Sequence, residues 1–133
     1  MKASTEILVR FADCDLLGHT NNASYFTFME QARLALFGEY LWNADEAFEP
    51  LNFPFIIGEV SCRFLKPSYF NQTLVIELQV TEVKNSSFAI EYVMKDKKTM
   101  EPVALAKSIQ ICFDYKTGKS QPIPEEYRKA FSK

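Results

Sequence analysis

At 133 residues, 47% of them hydrophobic and with a formal charge of −2, the chain has the material for one folded domain with a proper core and no room for a second. That balance leaves no basic field for phosphate backbones or anionic lipid, which disfavours nucleic-acid binding. Cys14, Cys62 and Cys112 are too few and too scattered for a disulfide framework and read as reduced thiols of a cytoplasmic protein; Met1–Glu6 lacks the apolar run of a signal peptide, and no stretch approaches the roughly 18 apolar residues of a membrane span.

Thr5 to Phe11 alternates, with Ile7, Val9 and Phe11 on one face and Glu6, Leu8 and Arg10 on the other, the period of a half-buried strand. Residues 13 to 22 break that pattern. They hold two aspartates, Gly18, the chain's one histidine and the pair Asn21-Asn22, either of which suits a helix N-cap because its side-chain oxygen accepts from an early N–H. From Ser24 to about Gly38, residues Tyr25, Phe26, Phe28, Met29, Ala32, Leu34, Ala35, Leu36 and Phe37 cover most of a helical circumference, which predicts an enclosed helix. Gly38 is the stop signal, although Glu39-Tyr40-Leu41-Trp42 can add a turn, and Asn43 to Pro54 reads as a loop or short irregular helix.

The later strand signals are clearer. Phe55 to Leu65 is rich in β-formers and ends at Lys66-Pro67. Thr73 to Val83 sets Leu74, Ile76, Leu78 and Val80 on one face; after the polar turn Lys84-Asn85-Ser86-Ser87, the run Phe88 to Asp96 does the same with Phe88, Ile90, Tyr92 and Met94, so the two read as a hairpin. Val103 to Tyr115 is the last strand, followed by the turn Lys116–Lys119. Pro122 and Pro124 then introduce a short helix, Glu125 to Phe131, with Tyr127 and Phe131 placed to dock it. One strand, a long apolar helix, four strands and a terminal helix predict an α+β fold in which an antiparallel sheet wraps around one long central helix. A single sheet covers only part of such a helix, so a second copy is expected to help enclose it.

The chemistry is concentrated where the first strand runs into the helix. A helix start offers unpaired backbone N–H groups and a positive dipole end, which suit an oxygen gaining negative charge, and Asp15 beside it can serve as base or nucleophile. The plain alternative for Asp15 is an Asx turn or a cap. A lone His19 reads first as a hydrogen-bonded loop residue, and no cluster accompanies it to hold a metal. Glu30 and Arg33, one turn apart, read as an ion pair; Glu59 reads as a surface-facing strand residue, and Gly58 as a point of close backbone approach.

The run Asp13-Cys14-Asp15-Leu16-Leu17-Gly18-His19-Thr20-Asn21-Asn22-Ala23-Ser24-Tyr25, followed by Phe28, Glu30, Ala32 and Arg33, resembles the D-x-D-x-x-G-H-x-N-N-x-x-Y-x-x-x-x-E-x-A-R signature of hotdog-fold acyl-CoA thioesterases of the 4-hydroxybenzoyl-CoA thioesterase type. The resemblance implies a hotdog fold and hydrolysis of an acyl-CoA without metal or redox cofactor, by a homodimer or homotetramer. It implies that Asp15 is the catalytic carboxylate while Asp13 steadies the loop. It also makes the backbone N–H of Asn22 the main oxyanion donor, with Asn21 bonding the loop or the thioester oxygen. Plant acyl-carrier-protein thioesterases, related in fold, have a similar D-x-N-x-H-V-N-N run; here Leu17 stands in place of that first Asn, which leaves His19 a secondary, orienting role. Lys84, Ser86 and Ser87 resemble the hairpin segment that contacts the phosphates of coenzyme A, with Arg63 and Lys66 as further basic candidates. With one basic residue in that turn, an acyl-carrier-protein substrate stays open. So does a module of the same fold that binds acyl-CoA without hydrolysing it. A dehydratase of similar fold would need a well-placed His or acid on the central helix, and no His occurs there.

Overall fold

The computed structural model describes residues 1–41 and 53–133. Trp42 and most of the segment read as an irregular loop, Asn43 to Pro54, lie outside the described residues. The elements are β1 (Lys2–Leu8), a single 3-10 turn (Phe11–Asp13), α1 (Asn22–Leu41), β2 (Phe55–Phe64), β3 (Thr73–Thr81), β4 (Ser87–Asp96), β5 (Pro102–Asp114), β6 (Lys119–Ser120) and α2 (Glu125–Phe131). Every pairing is antiparallel, in the order β1-β3-β4-β5-β2, with the short β6 added to β5. Because α1 separates β1 from β2 in the chain, the strands on either side of it end up at opposite edges of the sheet.

Alternation decides which face of the sheet receives the helix. Leu74, Ile76, Leu78 and Val80 of β3 and Phe88, Ile90, Tyr92 and Met94 of β4 are all buried, and they meet Tyr25, Phe28, Met29, Ala32, Leu36 and Phe37 on one face of α1. Each such side chain contributes about 1.5–3 kcal/mol by leaving water, so this layer holds the fold together. At one end α2 closes it: Phe131 and Phe88 have ring centroids 4.4 Å apart and Tyr127 and Phe55 4.9 Å, the predicted docking contacts. The sheet around one long helix is the arrangement that the motif implied.

Four details depart from the sequence reading. The first strand begins earlier, at Lys2, and stops at Leu8, because the Asp13 carboxylate accepts from Arg10 N–H at 2.8 Å and draws the chain into the 3-10 turn. Phe11 consequently leaves the inward face; it is 83% exposed and packs edge-to-face on Phe70, 6.4 Å between centroids. Gly38 does not end α1, which continues through Leu41. The helix is also less enclosed than its composition suggested, since the sheet curls over one side only and Thr27, Gln31, Leu34 and Ala35 stay exposed.

β2, an edge strand, carries a bulge at Gly58, where the register against β5 shifts between Ile57 and Glu59. A Cβ at Gly58 would collide with the tip of Ile111, so the close approach read from the sequence is real. The bulge reverses the parity of the strand. Ile57 before it and Val60, Cys62 and Phe64 after it share the inner face, opposite Gln110, Ser108, Ala106 and Ala104, while Glu59 lies opposite Ile109 on the outer surface. α1 meets this strand at its Phe64 end, where the Tyr25 and Phe64 rings lie 5.2 Å apart, while Ile57 and Val60 remain 43% and 41% exposed.

Candidate active site

Between the 3-10 turn and α1 the chain makes a small closed loop. A bridge between Cys14 and Thr20 pins its base, Asp15 N–H donates to His19 O at 3.2 Å, and Gly18 N–H donates to Asp15 O at 3.1 Å. Gly18, at φ +86°, takes the left-handed turn that a side chain would disfavour. Asn21 is the N-cap: its Oδ1 accepts from Ala23 N–H at 3.0 Å. The loop is tied to the helix start because Asp13 O accepts both Asn21 N–H, at 2.8 Å, and the Ser24 hydroxyl, at 2.9 Å.

A buried polar knot behind the loop went unread in the sequence. The Thr20 hydroxyl donates to Ser68 O at 3.0 Å, and Ser68 Oγ lies 2.6 Å from Thr20 Oγ1 and 2.7 Å from the Tyr25 hydroxyl. Thr20 and Tyr25 belong to the loop and helix and Ser68 to the β2–β3 connection, so the knot fixes the helix start against the far end of β2. Lys66-Pro67 marked a turn there, but nothing local marked its partner 48 residues away.

Asp13 steadies the loop, as expected. Its carboxylate accepts from Arg10 N–H, from Arg10 Nε at 3.2 Å and from Nη2 at 3.1 Å. Burial pushes this carboxyl up, but the side-chain and backbone hydrogen bonds and the charge of Arg10 together hold it below the usual carboxylate range. A depressed folded-state pKa contributes stability above the unfolded value of about 3.9, lost as pH falls through the folded one. Asp13→Asn is therefore expected to lower the melting temperature at pH 7 and to match the wild type in strong acid. Thermal melts followed by circular dichroism at both extremes check this, and equal curves at pH 7 would show that the network adds nothing.

At the helix start lies a cavity of about 280 Å3 lined by His19, Thr20, Asn22, Tyr25 and the run Phe64–Pro67. Asn22 N–H has no hydrogen-bond partner among the described residues, and the first turn of α1 carries no acidic side chain to neutralise its positive end. His19 Nδ1 lies 3.2 Å from Thr20 O; since a carbonyl only accepts, this contact calls for a hydrogen on Nδ1. Asp15 is half-buried and not among the lining residues, and its Oδ1 accepts from Leu17 N–H at 2.9 Å. In the single chain, therefore, His19 and Asn22 meet at the cavity, Asn21 caps behind them, and the Asp15 carboxylate is engaged in an Asx turn beside it.

The other candidates are dispersed. Lys66 lines the cavity and is ion-paired with Glu101. Arg63 is exposed, and its position opposite Leu105 puts it on the outer face of the sheet. Ser87 is level with Ile111 and hence with Ile56, whereas the cavity begins at Phe64. Ile111 and Ala104, the β5 partners of Ile56 and Phe64, are seven residues apart, so at about 3.3 Å per residue the turn holding Lys84, Ser86 and Ser87 lies roughly 23 Å along the sheet from the cavity of the same chain. The turn is well made: Arg128 Nη2 donates to Lys84 O at 2.8 Å and to Asn85 O at 2.7 Å. Glu30 and Arg33 do not pair; Glu30 is exposed and Arg33 turns to the core, donating to the Tyr92 hydroxyl at 3.1 Å. Cys14, Cys62 and Cys112 are free, and burial pushes the Cys62 thiol up to about 11. No described helix is long and apolar enough to cross a membrane, and the described residues hold no group of three or more potential metal ligands.

Residues 9–131 match the family described as the Thioesterase-like superfamily. Long-chain acyl-CoA thioesterase FadM of Escherichia coli (strain K12) is 28% identical over 128 residues, which cover 94% of this chain and 93% of that protein. A 1,4-dihydroxy-2-naphthoyl-CoA hydrolase of Synechococcus elongatus is 26% identical over 121 residues, 89% of this chain and 86% of the relative. Among solved structures, Slr0204, a 1,4-dihydroxy-2-naphthoyl-CoA thioesterase from Synechocystis, superposes with a TM-score of 0.87 at 16% identity, over 99% of this chain and 96% of its own.

Proposed function

Since the chain belongs to the Thioesterase-like superfamily, whose match spans residues 9–131, we propose that it hydrolyses an acyl-CoA to a free acid and coenzyme A at the start of α1. The observation that carries this reading is the unpartnered Asn22 N–H at a cavity large enough for a thioester, with a carboxylate one short loop away. In the proposed step the thioester carbonyl oxygen accepts from Asn22 N–H, and the positive end of α1 stabilises the oxyanion. Asp15 either takes a proton from the attacking water or attacks the carbonyl itself, giving a mixed anhydride that water then opens; in both, the sulfur leaves as the thiol after gaining a proton. His19 orients the attacking water or substrate.

The working form is proposed to be a homodimer, joined along β2. Among the described residues the outer edge of β2 has no strand neighbour, and Ile57 and Val60 on its inner face are 43% and 41% exposed. A two-fold axis running β2 antiparallel to its copy would bring the partner's Lys84–Ser87 turn to the Phe64 end of this chain, within reach of coenzyme A phosphates, and would cover these exposed residues. Sedimentation as a monomer at micromolar concentration would count against it.

A second reading is kept by one observation, the turn bond that occupies Asp15 Oδ1: the fold binds acyl-CoA and does not hydrolyse it. Thiol release from a panel of aliphatic and aromatic acyl-CoAs, with acyl-carrier-protein thioesters of the same acyl groups, separates the two. Turnover of at least one CoA thioester is expected; saturable binding of the whole panel without thiol release would establish the second reading.

A further inference from the structure

The inner face of the sheet is mostly apolar, and one group of polar side chains on it is buried. Tyr92 of β4 and Ser108 and Gln110 of β5 point inward and are buried, Gln110 being 2% exposed. The Tyr92 hydroxyl lies 2.8 Å from Ser108 Oγ, Gln110 Nε2 donates to the same oxygen, and Arg33 Nη1 reaches down from α1 to the Tyr92 hydroxyl. Burying the three polar side chains of Tyr92, Ser108 and Gln110 is costly unless all are satisfied, and one is not. Gln110 Oε1 is buried without a partner. Arg33, with five N–H donors, makes one bond and meets no carboxylate among the described residues.

The sign of the surplus depends on the amide. With the amide as placed, Tyr92 and Ser108 share one hydrogen between them, so one hydroxyl hydrogen has no acceptor. Turning the amide over lets Oε1 accept from Ser108 but strands both Nε2 hydrogens. As placed, the cluster holds one unpartnered acceptor, Gln110 Oε1; with the amide turned over, it holds a positive charge and spare donors only. It also adjoins an exposed apolar edge: Val60 lies opposite Ser108 and Ile57 opposite Gln110 on the inner face of β2, in one row with Cys62 and with Phe64, which lines the cavity. Asn22 and Arg33 are eleven residues apart on α1, about 16 Å at 1.5 Å per residue, a span that a medium-length acyl chain covers.

We propose that Arg33, Tyr92, Ser108 and Gln110 form the distal end of the acyl site and select thioesters whose acyl chain ends in a carboxylate. The apolar edge would carry the methylenes and, with the amide turned over, the donor-rich cluster would take the terminal oxygens, Arg33 supplying the counter-charge. This rests on the thioesterase reading for the near end of the site.

The experiment compares unsubstituted, ω-hydroxy and ω-carboxy acyl-CoAs of matched length, from hexanoyl to dodecanoyl. Two readouts are used: kcat/KM for hydrolysis and the affinity of non-hydrolysable thioether analogues. The ω-carboxy member is expected to be preferred about tenfold at its best length, with the ω-hydroxy member between, and Arg33→Met and Gln110→Leu are expected to bring the ratio to about one. A purely structural role would lower all three substrates together and leave the ratio unchanged. A preference for the unsubstituted chain at every length overturns the proposal while leaving the thioesterase reading intact. If no thioester is hydrolysed, that reading fails, and the thioether affinities still decide whether the cluster selects a carboxylate.

Discussion

Asp15→Asn is expected to lower kcat for the best acyl-CoA by roughly 10²–10³-fold or more with little change in the melting temperature. The substitution is chosen because of the turn that Asp15 makes. Its Oδ1 accepts from Leu17 N–H at 2.9 Å, and an asparagine oxygen can accept the same bond, so the loop keeps its shape while the negative charge and basicity are removed. Asp15→Ala would confound the two by releasing the turn. The companion variant is Asn22→Ala, which leaves the backbone N–H in place and is expected to cost less than about tenfold, because the proposed oxyanion donor belongs to the main chain. Circular dichroism melts and single-turnover rates for both variants check the comparison. Wild-type turnover by Asp15→Asn would leave this carboxylate a turn residue and nothing more.

The turn bond of Asp15 was not legible in the motif that marked the residue. Elements with strict alternation declared themselves: β3 and β4 each place four apolar residues inward, and a slip of one residue would have turned them all to solvent. The loop and its cap were legible for a similar reason, since Gly18 and Asn21 have local conformational tasks. What could not be read depends on distant partners or on interrupted periodicity. Phe11 continued the alternation of β1, but Asp13, two residues on, bends the chain by bonding Arg10. Gly58 reverses the parity of β2, so counting from Phe55 puts Val60 on the wrong face until the bulge is known. Ser108 and Gln110, polar residues at inward positions of β5, drew no reading, because their significance depends on Tyr92 and Arg33; the Arg33–Tyr92 bond alone spans 59 positions, and the local rule had assigned Arg33 to Glu30. The turn proposed to meet the coenzyme A phosphates was recognisable in isolation. Its separation of roughly 23 Å from the cavity followed only from strand registers.

That separation leads to the second large effect. If a complete site takes Asp15 from one chain and the Lys84–Ser87 turn from the other, two inactive variants should rescue each other. One chain carries Asp15→Asn; the second carries Lys84→Glu with Ser86→Ala and Ser87→Ala. Alone, the first lacks the carboxylate in both sites, and the second binds coenzyme A poorly in both and is nearly silent when substrate is kept well below the wild-type KM. A hybrid dimer has one site with both defects and one with neither. Random pairing makes about half of the dimers hybrids, each with one of two sites intact, so an equal mixture is expected to recover about one quarter of wild-type activity. Sites built within a single chain give a different number, because each chain then keeps its own defect and the mixture shows only the average of its parents. Co-expression with two affinity tags, followed by tandem purification, isolates the hybrid, for which the expected activity is about half that of the wild type. A tag-purified hybrid no more active than the mean of the two variants would place carboxylate and turn in separate functions and remove the reason for joining the chains along β2.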